Sequence, residues 1–297
     1  MKLNYQLLDV FTTEPLAGNP LAVVLKADGL LDNQMQAIAV EFGLSETVFL
    51  MKPNVDRHTS AVRIFTPEME LPFAGHPTVG AATVLALQDR LSAVRIEERV
   101  GMITCIVDRI DKQTAYARFA LPHLPEEVGK APDTKAIAMA LGVEPEDIGC
   151  GLYQPAVYSA GVIFYLVPLR NALVLKQLEL NLGRWEETFP LGNHSVYCFT
   201  ETPDEKDVDF AARMFSPGMG IGEDPGTGSA AAALIGLLAR HTSFDDEQAE
   251  YRLRQGLEMG RPCSIAMQLR KDGGVLTHGG IGGNAVVIGE GVLDLPD

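Results

Sequence analysis

The sequence predicts an α/β protein of two similar domains, each with a sheet wrapped around one buried helix. Three observations carry this reading: an internal repeat, two helical stretches without charge, and a length of 297 residues. Arg63-Ile64-Phe65-Thr66-Pro67-Glu68-Met69 returns as Arg213-Met214-Phe215-Ser216-Pro217-Gly218-Met219, a spacing of 213 − 63 = 150 residues. That period is too long for a solenoid and half the chain, so it marks two halves of one design. Two domains of about 150 residues are also what this length suggests.

Each copy of the repeat runs through a short loop into a small-residue helix signal, Ala74-Gly75-His76-Pro77 in the first and Thr227-Gly228-Ser229-Ala230 in the second. Pro77 to Leu87 and Ala230 to Ala239 carry no charged side chain. A helix apolar all round must be enclosed on every side, and these are shorter than the roughly 20 residues that span a bilayer. Proline favours the first helical position, which predicts His76 as one N-cap and Ser229 as the other. Gly75 and Gly228 let a ligand approach the free amides of the first turns, so two anion sites are predicted. If the domains face each other, one carboxylated molecule fits between them.

A net charge of −15 and the lack of a basic cluster argue against nucleic acid and anionic membranes as partners. The N-terminus, MKLNYQLLDV, alternates like a strand and lacks a signal-peptide core. Cysteines at 105, 150, 198 and 263 form no CxxC pair, which fits reduced thiols in the cytoplasm. The six histidines are equally scattered, so no metal is expected.

In chain order, residues 3–11 and 21–25 read as strands joined by a loop that ends in Gly18-Asn19-Pro20. Asn19 is a turn residue or a functional one; the motif leaves both open. Asp32 is a plausible cap for a helix that buries Met35, Ile38, Ala39 and Phe42 and stops at Gly43. Ser45-Glu46-Thr47-Val48-Phe49-Leu50 then places a carboxylate at the mouth of an apolar strand. Glu46 reaches solvent as an edge charge, or it sits desolvated in a cleft with a raised pKa suited to proton transfer. The pattern alone does not choose.

Val94 to Val107 and Thr114 to Phe119 read as strands about a turn at Ile110-Asp111-Lys112. Leu121 to Pro125 is the domain boundary. The second half opens with Asp133 and Gly142 as helix start and stop, and a strand from Val162 to Val167 follows Ser159-Ala160-Gly161. Residues 172–190 and 201–209 read as variable surface. From the repeated proline to the helix-entry glycine is eight positions in copy one (67 to 75) and eleven in copy two (217 to 228). Asp224 in that longer loop lies near a helix N-terminus, as cap, brace or functional carboxylate. No phosphate-loop lysine is present, and a strand follows Gly280 to Ala285 where a dinucleotide motif needs a helix, so both nucleotide readings are rejected.

Taken together, Gly18-Asn19-Pro20, Ser45-Glu46-Thr47, Arg63 to Pro67, Glu70 to Pro77, Glu223 to Ser229, Gln255-Gly256 and Glu258 to Pro262 resemble the PhzF-like phenazine-biosynthesis proteins, almost end to end. The resemblance implies a diaminopimelate epimerase-like fold: two pseudo-symmetric domains, each a curled, mostly antiparallel sheet around a central helix, with the active site between them. It implies domains of 1–122 plus 284–297 and 123–283, a homodimer and no cofactor. It further implies an isomerase like that acting on trans-2,3-dihydro-3-hydroxyanthranilate, in which a glutamate carries a proton between ring carbons. By position, Glu46, His76 and Asp224 are then catalytic, while Asn19, Ser45, Gly75, Gly228 and Ser229 bind substrate.

Epimerases and racemases of this fold use two cysteines, and the matching positions here are Ala74 and Thr227. A methyl group carries no proton and a threonine hydroxyl is too weak an acid, which argues against two-thiol racemisation. Two alternatives remain: a ligand-binding protein with a degenerate site, and an epimerase that pairs Glu46 with another base.

Overall fold

A computed structural model describes residues 1–241 and 248–295; the end of the expected first domain at 296–297, and 242–247 in the second, lie outside the described residues. Two compact units result: Met1–Pro122 with the chain from Gly282 on, and His123–Ile281. The four cysteines are buried and free. No described helix is long and apolar enough to cross a membrane.

The first unit runs β1 (Lys2–Val10), β2 (Asn19–Val24), α1 (Asp32–Phe42), β3 (Glu46–Met51), β4 (Ser60–Phe65), β5 (Glu70–Leu71), α2 (Gly75–Asp89), β6 (Ala93–Glu98), β7 (Gly101–Arg109) and β8 (Thr114–Ala120). Strands β1 and β2 pair antiparallel, and β2 and β3 pair parallel because α1 carries the chain over between them. Helix α2 touches β1, β2, β3, β6, β7 and β8, and every residue from Gly75 to Ala86 is buried. The uncharged helix is thus wrapped by its sheet. On the far side of β3, Met35, Ile38 and Ala39 of α1 pack on Leu3, Val24, Phe49 and Phe65. A strand covered by a helix on each face buries consecutive residues, and Thr47 through Leu50 are all buried.

The second unit runs β9 (Glu126–Gly129), α3 (Thr134–Leu141), β10 (Ala156–Ser159), β11 (Ile163–Pro168), α4 (Ala172–Lys176), α5 (Trp185–Thr188), β12 (Val196–Glu201), β13 (Phe210–Ser216), β14 (Ile221–Asp224), α6 (Gly228–His241), β15 (Gln248–Gln255), β16 (Cys263–Asp272) and the start of β17 (Val275–Asp294). The later part of β17 belongs to the first unit, where it pairs antiparallel with β1 and also with β8. Helix α6 packs on β9, β10, β11 and β16, with Ala230 to Ala239 buried throughout. Each central helix has one interior glycine against which a strand side chain presses. A Cβ at Gly80 would meet Leu21 Cδ2 at 2.3 Å, and one at Gly236 would meet the Tyr158 ring at 2.6 Å.

The repeat is realised in side-chain contacts. Arg63 on β4 donates through Nε and Nη2 to both Glu70 oxygens, each at 2.7 Å, and its guanidinium lies 5.1 Å over the Phe65 ring. Arg213 on β13 donates to both Glu223 oxygens at 2.8 and 2.9 Å and lies 4.9 Å over Phe215. Bidentate arginine–carboxylate pairs of this kind fix geometry as well as charge.

Several expectations need correction. Asp32 is the first residue of α1 and not its cap; its carboxylate accepts from Arg63 Nη1 at 2.6 Å, while Gln34 Oε1 accepts from the Leu31 N–H. The cap of α2 is Ala74 rather than His76, and α6 begins at Gly228 with Ser229 already helical. Proline lacks an N–H, and the N–H groups of a helix's first turn have no intrahelical acceptor, so Pro77 is accommodated at the third helical position as well as the first. The stretch 94–107 is two strands joined through Arg99-Val100, with Gly101 at φ +122°. Residues 172–190 are mostly exposed, as expected of surface, but they also supply core: Val174, Leu175, Leu178, Trp185 and Phe189 pack with Val196, Cys198 and Phe215. Two helices of five and four residues are too short to show a helical period, which hid the burial.

Candidate active site

The first unit gathers Asn19, Glu46 and His76. Parallel pairing sets Leu21 opposite Glu46, so the starts of β2 and β3 lie at one end of the sheet. Asn19 is no turn residue: it opens β2 opposite Val10 and is fully buried. Its amide Nδ2 lies 3.4 Å from His76 Nδ1 in the first turn of α2. An amide N–H can only donate there, so Nδ1 accepts and the ring proton sits on Nε2. That Nε2 makes no hydrogen bond among the described residues and lies 3.6 Å from Glu46 Oε2.

The pair is within reach of an ion pair, yet His76 is neutral. With 3% of its side chain exposed, burial pushes its pKa from 6.5 down to about 3. Glu46 is 13% exposed, so its carboxyl is screened from open water. A neutral imidazole N–H facing a largely buried carboxylate is a donor whose hydrogen bond forms when the gap closes or a third polar atom enters it. Ser45 stands just before Glu46 and is partly buried.

The first intrahelical bond of α2 runs from Thr78 N–H to Ala74 O, so the amides of Gly75 and His76 are outside the helical ladder. In α6 the corresponding bond runs from Ala231 N–H to Thr227 O, placing Gly228, Ser229 and Ala230 outside it. Positive partial charge collects at both starts.

The second unit gathers Asp224 and Thr227 with two residues that sequence reasoning did not assign to the site, Gln255 and Tyr197. Thr227 Oγ1 donates to Asp224 Oδ2 at 2.5 Å. Gln255, 1% exposed, donates through Nε2 to Asp224 O (2.7 Å) and Thr227 Oγ1 (3.0 Å). Its Oε1 accepts from Thr227 N–H (3.1 Å) and the Tyr197 hydroxyl (3.0 Å). The amide leaves Thr227 only one direction in which to give its proton, toward Asp224. Gln255-Gly256 was visible as a motif, but its placement against Thr227 needs the fold. Gly228 and Ser229 follow directly on Thr227 at the start of α6.

Comparison with known proteins shows the family. A family model described as phenazine biosynthesis-like protein matches residues 8–291. An uncharacterized isomerase of Mesorhizobium japonicum is 44% identical, with 98% of each chain covered. The trans-2,3-dihydro-3-hydroxyanthranilate isomerase of Pseudomonas chlororaphis is 32% identical, covering 98% of this chain and 99% of its own. The crystal structure of a Bacillus anthracis phenazine biosynthesis protein of the PhzF family superposes with a TM-score of 0.87 at 27% identity, over 99% of this chain and 100% of that one. The chain belongs to the PhzF-like phenazine biosynthesis-like protein family. Its activity is that of an isomerase of this type.

Proposed function

We propose that the protein moves a proton between carbons of a small, cyclic, carboxylated substrate, using only its own side chains. Glu46 takes a proton from one carbon as a general base; the electron pair left behind shifts along the adjacent unsaturated system, and the resulting carboxylic acid returns the proton to another carbon on the same face. Atoms and charge balance, and one base used twice suffices. Neutral His76 donates through Nε2–H to Glu46 or to the developing negative charge, without itself becoming a competing acid. The amides at Gly75 and Gly228, with Ser229, hold the substrate carboxylate, and Asp224, oriented by Thr227, receives a polar group of the substrate. Asn19 holds the imidazole in its tautomer, and Ser45 supports binding beside Glu46.

The observation that carries this reading is the approach of a largely buried carboxylate to a neutral, correctly tautomerised imidazole at the open start of an enclosed helix. The reading includes a cytoplasmic homodimer, which light scattering of the purified chain checks. Incubation with cyclic amino acids in deuterated water, followed by NMR, tests the chemistry. A new C–D bond in a rearranged product is expected. Glu46→Gln keeps the shape and removes the proton carrier, so turnover should fall by about 10²-fold or more. Binding without any exchange would convert the protein to a ligand binder, and loss of optical activity without rearrangement would make it an epimerase.

A further inference from the structure

Glu98 ends β6 on the inward face, where Val94 and Ile96 precede it, and is buried among apolar neighbours. The mechanism above does not use it. Its Oε1 lies 2.7 Å from Thr78 Oγ1, and that same hydroxyl lies 2.8 Å from Ala74 O. A threonine hydroxyl has one proton to give. Ala74 O is a carbonyl and only accepts, and it is the cap residue of α2. If Glu98 were ionised, two acceptors would compete for one hydrogen, and its second oxygen, which has no hydrogen-bond partner among the described residues, would be a bare buried charge. The conflict disappears if Glu98 carries the proton: it donates to Thr78 Oγ1, and Thr78 donates to Ala74 O.

We infer that Glu98 is a neutral carboxylic acid whose O–H, relayed through Thr78, fixes the cap of α2 and so positions Gly75 and His76. It is a positioning residue, and that role rests on the reading of His76 as part of the site; its protonation does not. Burial agrees, pushing the Glu98 pKa from 4.5 up to about 8. Among the described residues the titratable group coupled to it is Cys105 on β7, whose thiol burial also pushes up. Otherwise β7 and β8 turn Ile103, Val107, Ala115, Ala117 and Phe119 inward, β4 opposes this end of β6 with Ser60 and Ala61, and α2 presents Thr78, with His76 two residues earlier. Arg99, next in sequence, is engaged with Glu70 at 3.1 Å.

Infrared spectroscopy at neutral pH should show a carboxylic acid C=O stretch that Glu98→Gln removes. Glu98→Gln keeps a donor toward Thr78 and should leave the His76 imidazole NMR signals in place, whereas Thr78→Val should shift them and Thr78→Ser should restore them. The melting temperature of the parent protein relative to Glu98→Gln should fall as pH rises. A group whose folded pKa is raised gives its full contribution below 4.5 and loses it through about 8. Identical infrared spectra for parent and Glu98→Gln would overturn the neutral acid. Unmoved His76 signals in Thr78→Val would overturn the positioning role. Neither measurement needs a substrate, so a failure here is distinguishable from a failure of the isomerase reading.

Discussion

The two units build the same frame and end it differently. Each has an arginine stacked on the phenylalanine two residues on, paired through both donors to a glutamate, beside an enclosed helix with amides free at its start. In the first unit that start meets His76, whose Nε2 lies 3.6 Å from Glu46, beyond hydrogen-bond distance. In the second it meets a closed network in which every donor and acceptor of the Gln255 amide is used. A group that exchanges protons must keep a partner slot open, while a group that holds a substrate gains from being locked. On the proposed mechanism, the difference separates a half that does chemistry from a half that orients.

The largest effect expected from breaking this comparison is on stability. Arg213 is 10% exposed and also donates to Leu175 O, so Arg213→Met leaves the part-buried Glu223 and that carbonyl without their donor and should cost about 3 kcal/mol in denaturant unfolding. Arg63→Met should cost less, about 2 kcal/mol, because Arg63 is 21% exposed and Glu70 keeps Arg99. Equal losses would show that the two clamps are not differently buried in effect.

Next comes the division of labour. Glu46→Gln should lower kcat about 10²-fold or more, whereas Asp224→Asn should act mainly on KM. Abolished deuterium exchange in both would erase the distinction between chemical and orienting halves. Gln255→Met follows at about 2 kcal/mol, because it leaves the Thr227 amide and Tyr197 hydroxyl buried without their acceptor. Calorimetry should show that loss together with weaker ligand binding.

The smallest effect concerns acid. His76 has its pKa lowered to about 3 in the folded state against 6.5, so the unfolded chain takes up the proton first. The corresponding stability is complete above 6.5 and is eroded as pH falls toward 3, by about 2 kcal/mol at about pH 5. Comparison with His76→Gln isolates this term from the opposite trend of Glu98, and parallel acid melting curves for the two proteins would refute the neutral imidazole.

Much of this was legible in the residues. The doubling of Arg63 to Met69 and the uncharged runs after Gly75 and Gly228 were enough for paired domains with enclosed helices. Where the reading of elements failed, competing local signals were at fault. Asp32 and Ser229 look like caps because short polar side chains favour that position, but Asp32 was drawn to Arg63, 31 residues away in sequence. The stretch 172–190 looked like surface because its core residues sit on helices of one turn.

By itself, then, the amino-acid order determined the doubled plan, the enclosed helices and the candidate groups Glu46, His76 and Asp224, since pattern and residue chemistry are local properties. Only the tertiary structure decided that His76 is neutral and which partners the polar groups meet. Desolvation sets the first, and partners such as Asn19 for His76, Thr78 for Glu98 and Gln255 for Thr227 come from segments 20 to 57 residues apart that meet only in the fold.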